Sequence, residues 1–128
     1  MKDLIKLLNN IANEFECEVV IGDEFAYYYE ESKIVVNPTD TNEEFLTLAR
    51  ENGLNEEVSN FVISFFHELG HNETMDFIEE EYEGDKDALT MEEYFYLEEE
   101  YEATMWAIDF CNSNMDIVKE IEKNITKQ

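Results

Sequence analysis

Both histidines of this sequence lie in one short stretch, His67-Glu68-Leu69-Gly70-His71. Residues four apart on an α-helix share one face, so the two imidazoles can offer ring nitrogens to a single metal ion. Zinc binds imidazole nitrogens at about 2.0–2.1 Å and keeps an open position for water in catalytic sites. Glu68 is rotated off the line of the histidines, where it can reach that water. The spacing predicts a zinc site with Glu68 as general base, the H-E-x-x-H pattern of metallopeptidases.

Two other interpretations of this stretch stay open at the level of sequence. The histidines could lie on the surface of a charged helix, or they could hold a purely structural zinc ion. A structural site usually completes its tetrahedron with cysteines. Cys17 and Cys111 lie far from the motif in the sequence, and we expect both to be packing residues.

A catalytic zinc site needs a third protein ligand besides the two histidines. The sequence has no third histidine, so the remaining candidates are carboxylates. Position alone does not choose among the glutamates near the start of a later helix, which are Glu98, Glu99, Glu100 and Glu102.

The charge of the chain is extreme, with 33 acidic residues against 8 basic ones and a formal net charge of −25. Such a surface repels nucleic-acid backbones and anionic membranes, and it attracts basic peptides or basic proteins. No apolar run suits a signal peptide or a membrane span. With two cysteines and no export signal, we expect a cytoplasmic protein with reduced thiols.

Hydrophobic spacing predicts an α+β fold in a single domain, residues 1–128. An amphipathic helix over residues 2–15 precedes three short strands, and the tight connections between these strands favour a three-stranded antiparallel sheet. The predicted strands are Glu18–Ile21, residues 25–30 and residues 33–37.

The remaining chain is predicted to be helical around the histidine motif. Capping boxes at residues 41–44 and 90–93 indicate the starts of two helices, and the second helix should run to about Cys111 before a final amphipathic helix. Between the two capping boxes, Asn55 can cap the helix that carries the histidines. Gly70 lies inside this helix, where glycine costs about 1 kcal/mol relative to alanine, and fits a need for close backbone approach.

A second stretch, which reads E-Y-E-A-T-M-W-A from Glu100 to Ala107, completes a resemblance to the ImmA/IrrE-type metallopeptidases of the gluzincin group. That family carries H-E-L-G-H on one helix and E-x-E-A-x-x-F-A on a later helix, where the glutamate before the alanine is the third metal ligand. The resemblance therefore implies His67, His71 and Glu102 as ligands. It further implies a small zincin-like domain, with an active-site helix, a glutamate-ligand helix and flanking N- and C-terminal helices.

Two further expectations accompany the resemblance. The strand at residues 33–37 is similar to the family's edge strand, which pairs with a bound peptide. In thermolysin an aspartate supports one histidine, but Trp106 stands at that position here, and Asp109 is the candidate for the supporting role.

We therefore expect a zinc-dependent metallopeptidase that acts on a peptide or protein substrate, with basic substrates favoured by charge. Glu68 would activate water, and Tyr94, Tyr96 or Tyr101 would stabilise the oxyanion. One alternative is a non-enzymatic, zinc-stabilised acidic binding module that mimics DNA or sequesters a basic protein. Another is a latent peptidase whose cleft is blocked by a terminus or by the acidic segment at residues 76–87.

Overall fold

The computed structural model describes residues 2–39 and 41–126. In these residues six α-helices accompany a three-stranded mixed sheet, which confirms the α+β class. The helices are α1 (Lys2–Asn13), α2 (Glu43–Glu51), α3 (Asn60–Thr74), α4 (Met91–Phe95), α5 (Glu98–Ser113) and α6 (Met115–Thr126), and the strands are β1 (Glu18–Ile21), β2 (Ala26–Tyr28) and β3 (Lys33–Val36).

The sheet is not the antiparallel sheet that the sequence predicted. Its strand order is β1–β3–β2, and β3 pairs in parallel with β1 and antiparallel with β2. The prediction was wrong because residues 22–25 do not make a hairpin but carry the chain past the position of β3, so that β1 and β2 never pair. Strand β3 is therefore central, which fits the burial of all three residues of its Ile34-Val35-Val36 run. The edge strand beside α3 is β2, not β3.

The first helix has the amphipathic pattern predicted for it. Its buried stripe comprises Leu4, Leu8, Ile11 and Ala12 and packs against β1 and α6. The side chain of Asn9 continues the contact, since it accepts from the backbone N–H of Val19 at 2.8 Å and donates to the carbonyl of the same residue at 3.0 Å.

The helix that carries the histidines, α3, begins later than predicted. Ser59 caps it by accepting from the N–H of Val62 at 3.4 Å, whereas Asn55 accepts from the N–H of Glu57 at 2.8 Å and so stabilises a turn before the helix. Most side chains of α3 are buried, so it is the central helix of the core.

The predicted long helix after residue 90 is two helices. The capping box between Thr90 and Glu93 forms as expected, but α4 ends at Phe95 and Leu97 is extended, with φ −62° and ψ 142°. Helix α5 then begins at Glu98, which places three consecutive glutamates in its first turn. Of the helices in the described parts of the chain, none combines the length and the apolar character that crossing a membrane requires.

Helices α3 and α5 pack closely because Gly70 has no side chain. A Cβ at this position would collide with the backbone carbonyl oxygen of Ala103 on α5. The expectation of a close backbone approach at Gly70 is confirmed, and this approach brings the start of α5 to the histidines.

Candidate metal centre

Three side chains from α3 and α5 meet in a small triangle. Glu100 Oε1 lies 3.0 Å from His67 Nε2 and 3.1 Å from His71 Nε2, and the two nitrogens are 3.2 Å apart. A tetrahedral zinc ion with bonds of about 2.0–2.1 Å holds its ligands about 3.3–3.4 Å apart. The three atoms are slightly closer together than the ligands of such an ion. Outward shifts of a few tenths of an ångström in the side chains would make room for zinc.

The hydrogen bonds of Thr104 indicate that this triangle is suited to a cation. The Thr104 hydroxyl donates to the carbonyl of Glu100 at 2.9 Å, so its oxygen is left to accept from Nδ1–H of His67 at 2.8 Å. A neutral His67 then directs the lone pair of Nε2 at the Glu100 carboxylate. Two buried acceptors in contact repel each other unless a proton or a metal ion lies between them. The donor set therefore fits a metal ion.

Glu68 joins the same group without belonging to the triangle. His67, Glu68 and His71 offer ligand atoms within 4.8 Å of one another and form a His-Glu-His group that could hold a metal ion. Unlike Glu100, Glu68 is partly exposed. Burial raises the pKa of Glu68, although the two imidazoles oppose the rise.

The structure places Glu100, rather than Glu102, against the histidines. Glu102 is exposed on α5, because two residues along a helix correspond to a rotation of about 200°. Glu100, Ala103, Thr104 and Ala107 share the buried face of α5. The ligand role that the resemblance implied for Glu102 therefore does not fit the geometry, and Glu100, one of the alternatives left open, does.

Glu100 and the two histidines change each other's pKa. Burial alone would raise the pKa of Glu100, but the contacts with His67 and His71, in which a protonated imidazole donates to the carboxylate and attracts it, outweigh burial and hold this pKa well below the usual range. Burial alone would lower the pKa of His71, but the bond to Glu100 outweighs it and raises this pKa. The carboxyl group of Glu100 is therefore ionised where it contacts the two imidazoles.

A cleft runs past the metal centre on both sides of Glu68. Two cavities of about 570 and 750 Å³ share Phe25, Glu68, Lys86 and Tyr94 as lining residues. His67 lines the first cavity, whereas His71 and the edge strand β2 line the second. This arrangement leaves room for an extended chain to pass the candidate centre, and one wall is formed by β2, which pairs only with β3 in the described part of the chain.

Of the three tyrosines considered for an oxyanion role, Tyr94 lines the cleft. Tyr96 and Tyr101 stack on each other with ring centroids 5.8 Å apart, outside the two cavities. Burial raises the pKa of Tyr94, and the charge of Glu100 adds to the rise, so this phenol keeps its proton at neutral pH.

Two contacts of the centre were not predicted. Thr104, and not Asp109, supports His67, and Asp109 is exposed on α5. Lys86, which belongs to the acidic segment, places its Nζ 2.9 Å from Oε2 of Glu100. The signal for Thr104 was its place one turn after Glu100 on the buried face, whereas nothing in the sequence indicated Lys86.

The cysteines take no part in the centre. Both are buried in the core, as predicted. Burial raises the pKa of Cys17 to about 11 and that of Cys111 to about 12, so neither thiol ionises near neutral pH.

Comparison of the chain with protein-family models, curated protein sequences and solved structures found no match. The case for a function therefore rests on the geometry of the site itself.

Proposed function

We propose that this protein is a zinc-dependent metallopeptidase with a minimal zincin-like domain of the ImmA/IrrE type. The observation that supports this best is the contact of Glu100 Oε1 with both imidazoles, at 3.0 and 3.1 Å, beside a partly exposed Glu68 in an open cleft. Two histidines and one glutamate are a ligand set of catalytic zinc sites, which keep a position free for water.

His67, His71 and Glu100 would hold the metal ion. Bound zinc supplies a Lewis acid that polarises a peptide carbonyl and makes water acidic enough to attack near neutral pH. Glu68 takes the proton of the attacking water and returns it to the amine that leaves. The neutral hydroxyl of Tyr94, on the wall of the same cleft, donates to the developing oxyanion.

The substrate is an extended peptide or protein segment rich in basic residues. Strand β2 offers a free edge on the cleft, to which an extended chain can add as a further strand. Acidic side chains line both cavities, with Asp23, Glu24 and Asp87 in the first and Glu79 and Glu81 in the second. Lysines and arginines on both sides of the cleaved bond would therefore be attracted.

The test of catalysis is the substitution Glu68→Gln in the zinc-loaded protein. With a peptide library that carries lysine or arginine on both sides of a variable bond, mass spectrometry should detect cleavage by the parent protein. Glu68→Gln should lower the rate by about 10²–10⁴-fold, the usual contribution of a general base, while zinc content stays the same. Glu73→Gln, on the same helix but outside the two cavities, is the matched control and should cleave normally.

The test of the ligand set compares two glutamates two positions apart. Glu100→Gln should weaken zinc binding by more than about 100-fold, beyond the loss typical of an outer-shell partner, and Glu102→Gln should leave it unchanged. The opposite order would contradict the assignment of Glu100. Tight binding of a basic protein without cleavage, unchanged by Glu68→Gln, would instead favour the acidic binding module that the charge of −25 also allows.

A further inference from the structure

Lys86 contacts the candidate metal centre from the segment that joins α3 to α4. Its Nζ lies 2.9 Å from Glu100 Oε2 and 3.4 Å from Glu99 Oε1. The two oxygens of Glu100 thus have separate partners, since Oε1 faces the imidazoles and Oε2 faces the ammonium group. Among the residues that the structure describes, no other lysine or arginine lines the cleft.

The backbone around Lys86 holds its side chain in this direction. Residues Lys86–Ala88 form a single 3-10 turn, which Asp85 caps by accepting from the N–H of Asp87 at 3.0 Å. The segment before the turn is attached to α5 as well, because Glu98 accepts from the N–H of Glu79 and Glu99 accepts from the N–H of Tyr82. Most residues of the acidic segment are exposed, but these contacts anchor it to the helix that carries Glu100.

The ammonium group of Lys86 stabilises the start of α5 in two ways. Glu99 and Glu100 are consecutive and both buried, so their charges repel each other in a poorly solvated place. The Glu100 side chain is only 4% exposed, and its second oxygen would lose the ion pair with the ammonium group if Lys86 were removed. Loss of this ion pair would let the carboxylate rotate toward solvent or offer both oxygens to one ion.

We propose that Lys86 is a positioning residue of the metal centre, which holds Oε2 of Glu100 so that Oε1 alone faces the two imidazoles. This inference rests on the proposed metal centre but not on peptidase activity. Lys86 acts through Glu100, and its ammonium group lies over the ring of Tyr94, with Nζ 5.8 Å from the ring centroid. The acidic segment thereby contributes to the ligand geometry.

The experiment measures zinc affinity by competition with a chromophoric chelator. Lys86→Met keeps the length of the side chain without its charge, and it should weaken zinc binding by about 10- to 100-fold, as loss of an outer-shell partner does. Lys86→Arg keeps a cation that can pair with both glutamates, and it should restore most of the affinity. In the Co²⁺-substituted protein, the visible absorption bands should change in Lys86→Met and return toward the parent spectrum in Lys86→Arg.

Lys33 is a matched control. It also pairs with a glutamate, Glu31 at 3.3 Å, has a side chain of similar exposure, and lies near a tyrosine ring at 5.3 Å. Lys33→Met should leave zinc affinity and the Co²⁺ spectrum unchanged. Should Lys86→Met fail to fold by circular dichroism, Lys86→Gln decides, since it keeps an N–H donor without charge and should still weaken binding.

The outcomes separate this inference from the proposed function. A parent protein that binds zinc while Lys86→Met binds it equally tightly, with an unchanged Co²⁺ spectrum, overturns the role of Lys86 and leaves the metal centre intact. A parent protein that binds no zinc overturns both. A parent protein that binds zinc but cleaves no peptide contradicts the peptidase alone, and the effect of Lys86→Met on affinity still supports the inference.

Discussion

The hydroxyl group of Thr104 decides which nitrogen of His67 carries a proton. Because this hydroxyl already donates to the carbonyl of Glu100, it can only accept from the imidazole. The proton of a neutral His67 is therefore on Nδ1, and Nε2 is free toward Glu100 and His71. A metal ligand needs this tautomer, and an outer partner that holds it also fixes the plane of the ring.

Replacing Thr104 with valine should weaken zinc binding by about 10- to 100-fold, because the change removes the hydroxyl at nearly constant shape. Isothermal titration with zinc in the presence of a competing chelator gives the affinity. Thr104→Ser retains the hydroxyl and should bind nearly as tightly as the parent. Thr74→Val is the control for the helix, since Thr74 donates to the carbonyl of Gly70 at 2.8 Å in the same way without contacting an imidazole. Equal losses in both valine variants would contradict the role given to Thr104.

At the residue scale, the sequence identified His67, Glu68 and His71 as a group because their spacing along one helix is enough to bring them together. The third carboxylate could not be chosen in this way, because it comes from another helix whose rotation depends on packing. The buried face of α5 follows Ala103, Thr104 and Ala107, which points to Glu100 and away from Glu102. The periodicity of α5 could therefore have replaced Glu102 by Glu100 as the expected ligand. The contact of Lys86 could not be predicted, because its position depends on the path of an irregular segment.

At the scale of elements, the contact between α3 and α5 depends on Gly70. Alanine there gains about 1 kcal/mol in helix propensity, but its Cβ would collide with the carbonyl oxygen of Ala103. Overpacking of this kind costs about 1–3 kcal/mol, and the obstacle is backbone, which moves only with the whole helix. The unfavourable effect should therefore exceed the gain in propensity.

We expect Gly70→Ala to lower the free energy of unfolding by up to about 2 kcal/mol, measured by urea denaturation of the metal-free protein. Zinc affinity should fall as well, since moving α5 away from α3 separates Glu100 from the imidazoles. The double variant Gly70→Ala with Ala103→Gly tests the cause, because removing a side chain from residue 103 leaves its carbonyl in place. Recovery of stability in this double variant would show that the close backbone approach is not the reason.

The strands show what local pattern can and cannot determine. All three were predicted at nearly their observed positions, because short β-branched and aromatic runs bounded by turn signals are local features. Their order was not, since residues 22–25 are compatible with either a hairpin or a longer path. The run Ile34-Val35-Val36, apolar at every position, is typical of a central strand and was the available sign that β3 would not lie at the edge.

For the whole molecule, the charge of −25 sets the conditions under which metal binding by the candidate centre must be measured. Exposed carboxylates attract any divalent cation weakly, and about 0.15 M salt screens that attraction beyond roughly 8 Å. A site built from two imidazoles and one buried carboxylate differs in kind, because imidazole nitrogens suit zinc whereas carboxylates and water suit magnesium and calcium. Selectivity among divalent ions therefore distinguishes the centre from the acidic surface.

Zinc at 100 times its dissociation constant should raise the free energy of unfolding by about 2.7 kcal/mol, since the ion binds the folded centre and not the separated ligands of the unfolded chain. For a domain of this size the melting temperature should then rise by about 10 °C, which differential scanning calorimetry in 0.15 M salt can measure. Calcium and magnesium at equal concentration should raise it far less.

Glu100→Gln should abolish the zinc effect, while Glu102→Gln, which removes the same charge from the surface, should retain it. A rise that all three ions produce, or that Glu100→Gln retains, would assign the stabilisation to the acidic surface, because only the folded triangle of His67, His71 and Glu100 distinguishes zinc from the other two ions.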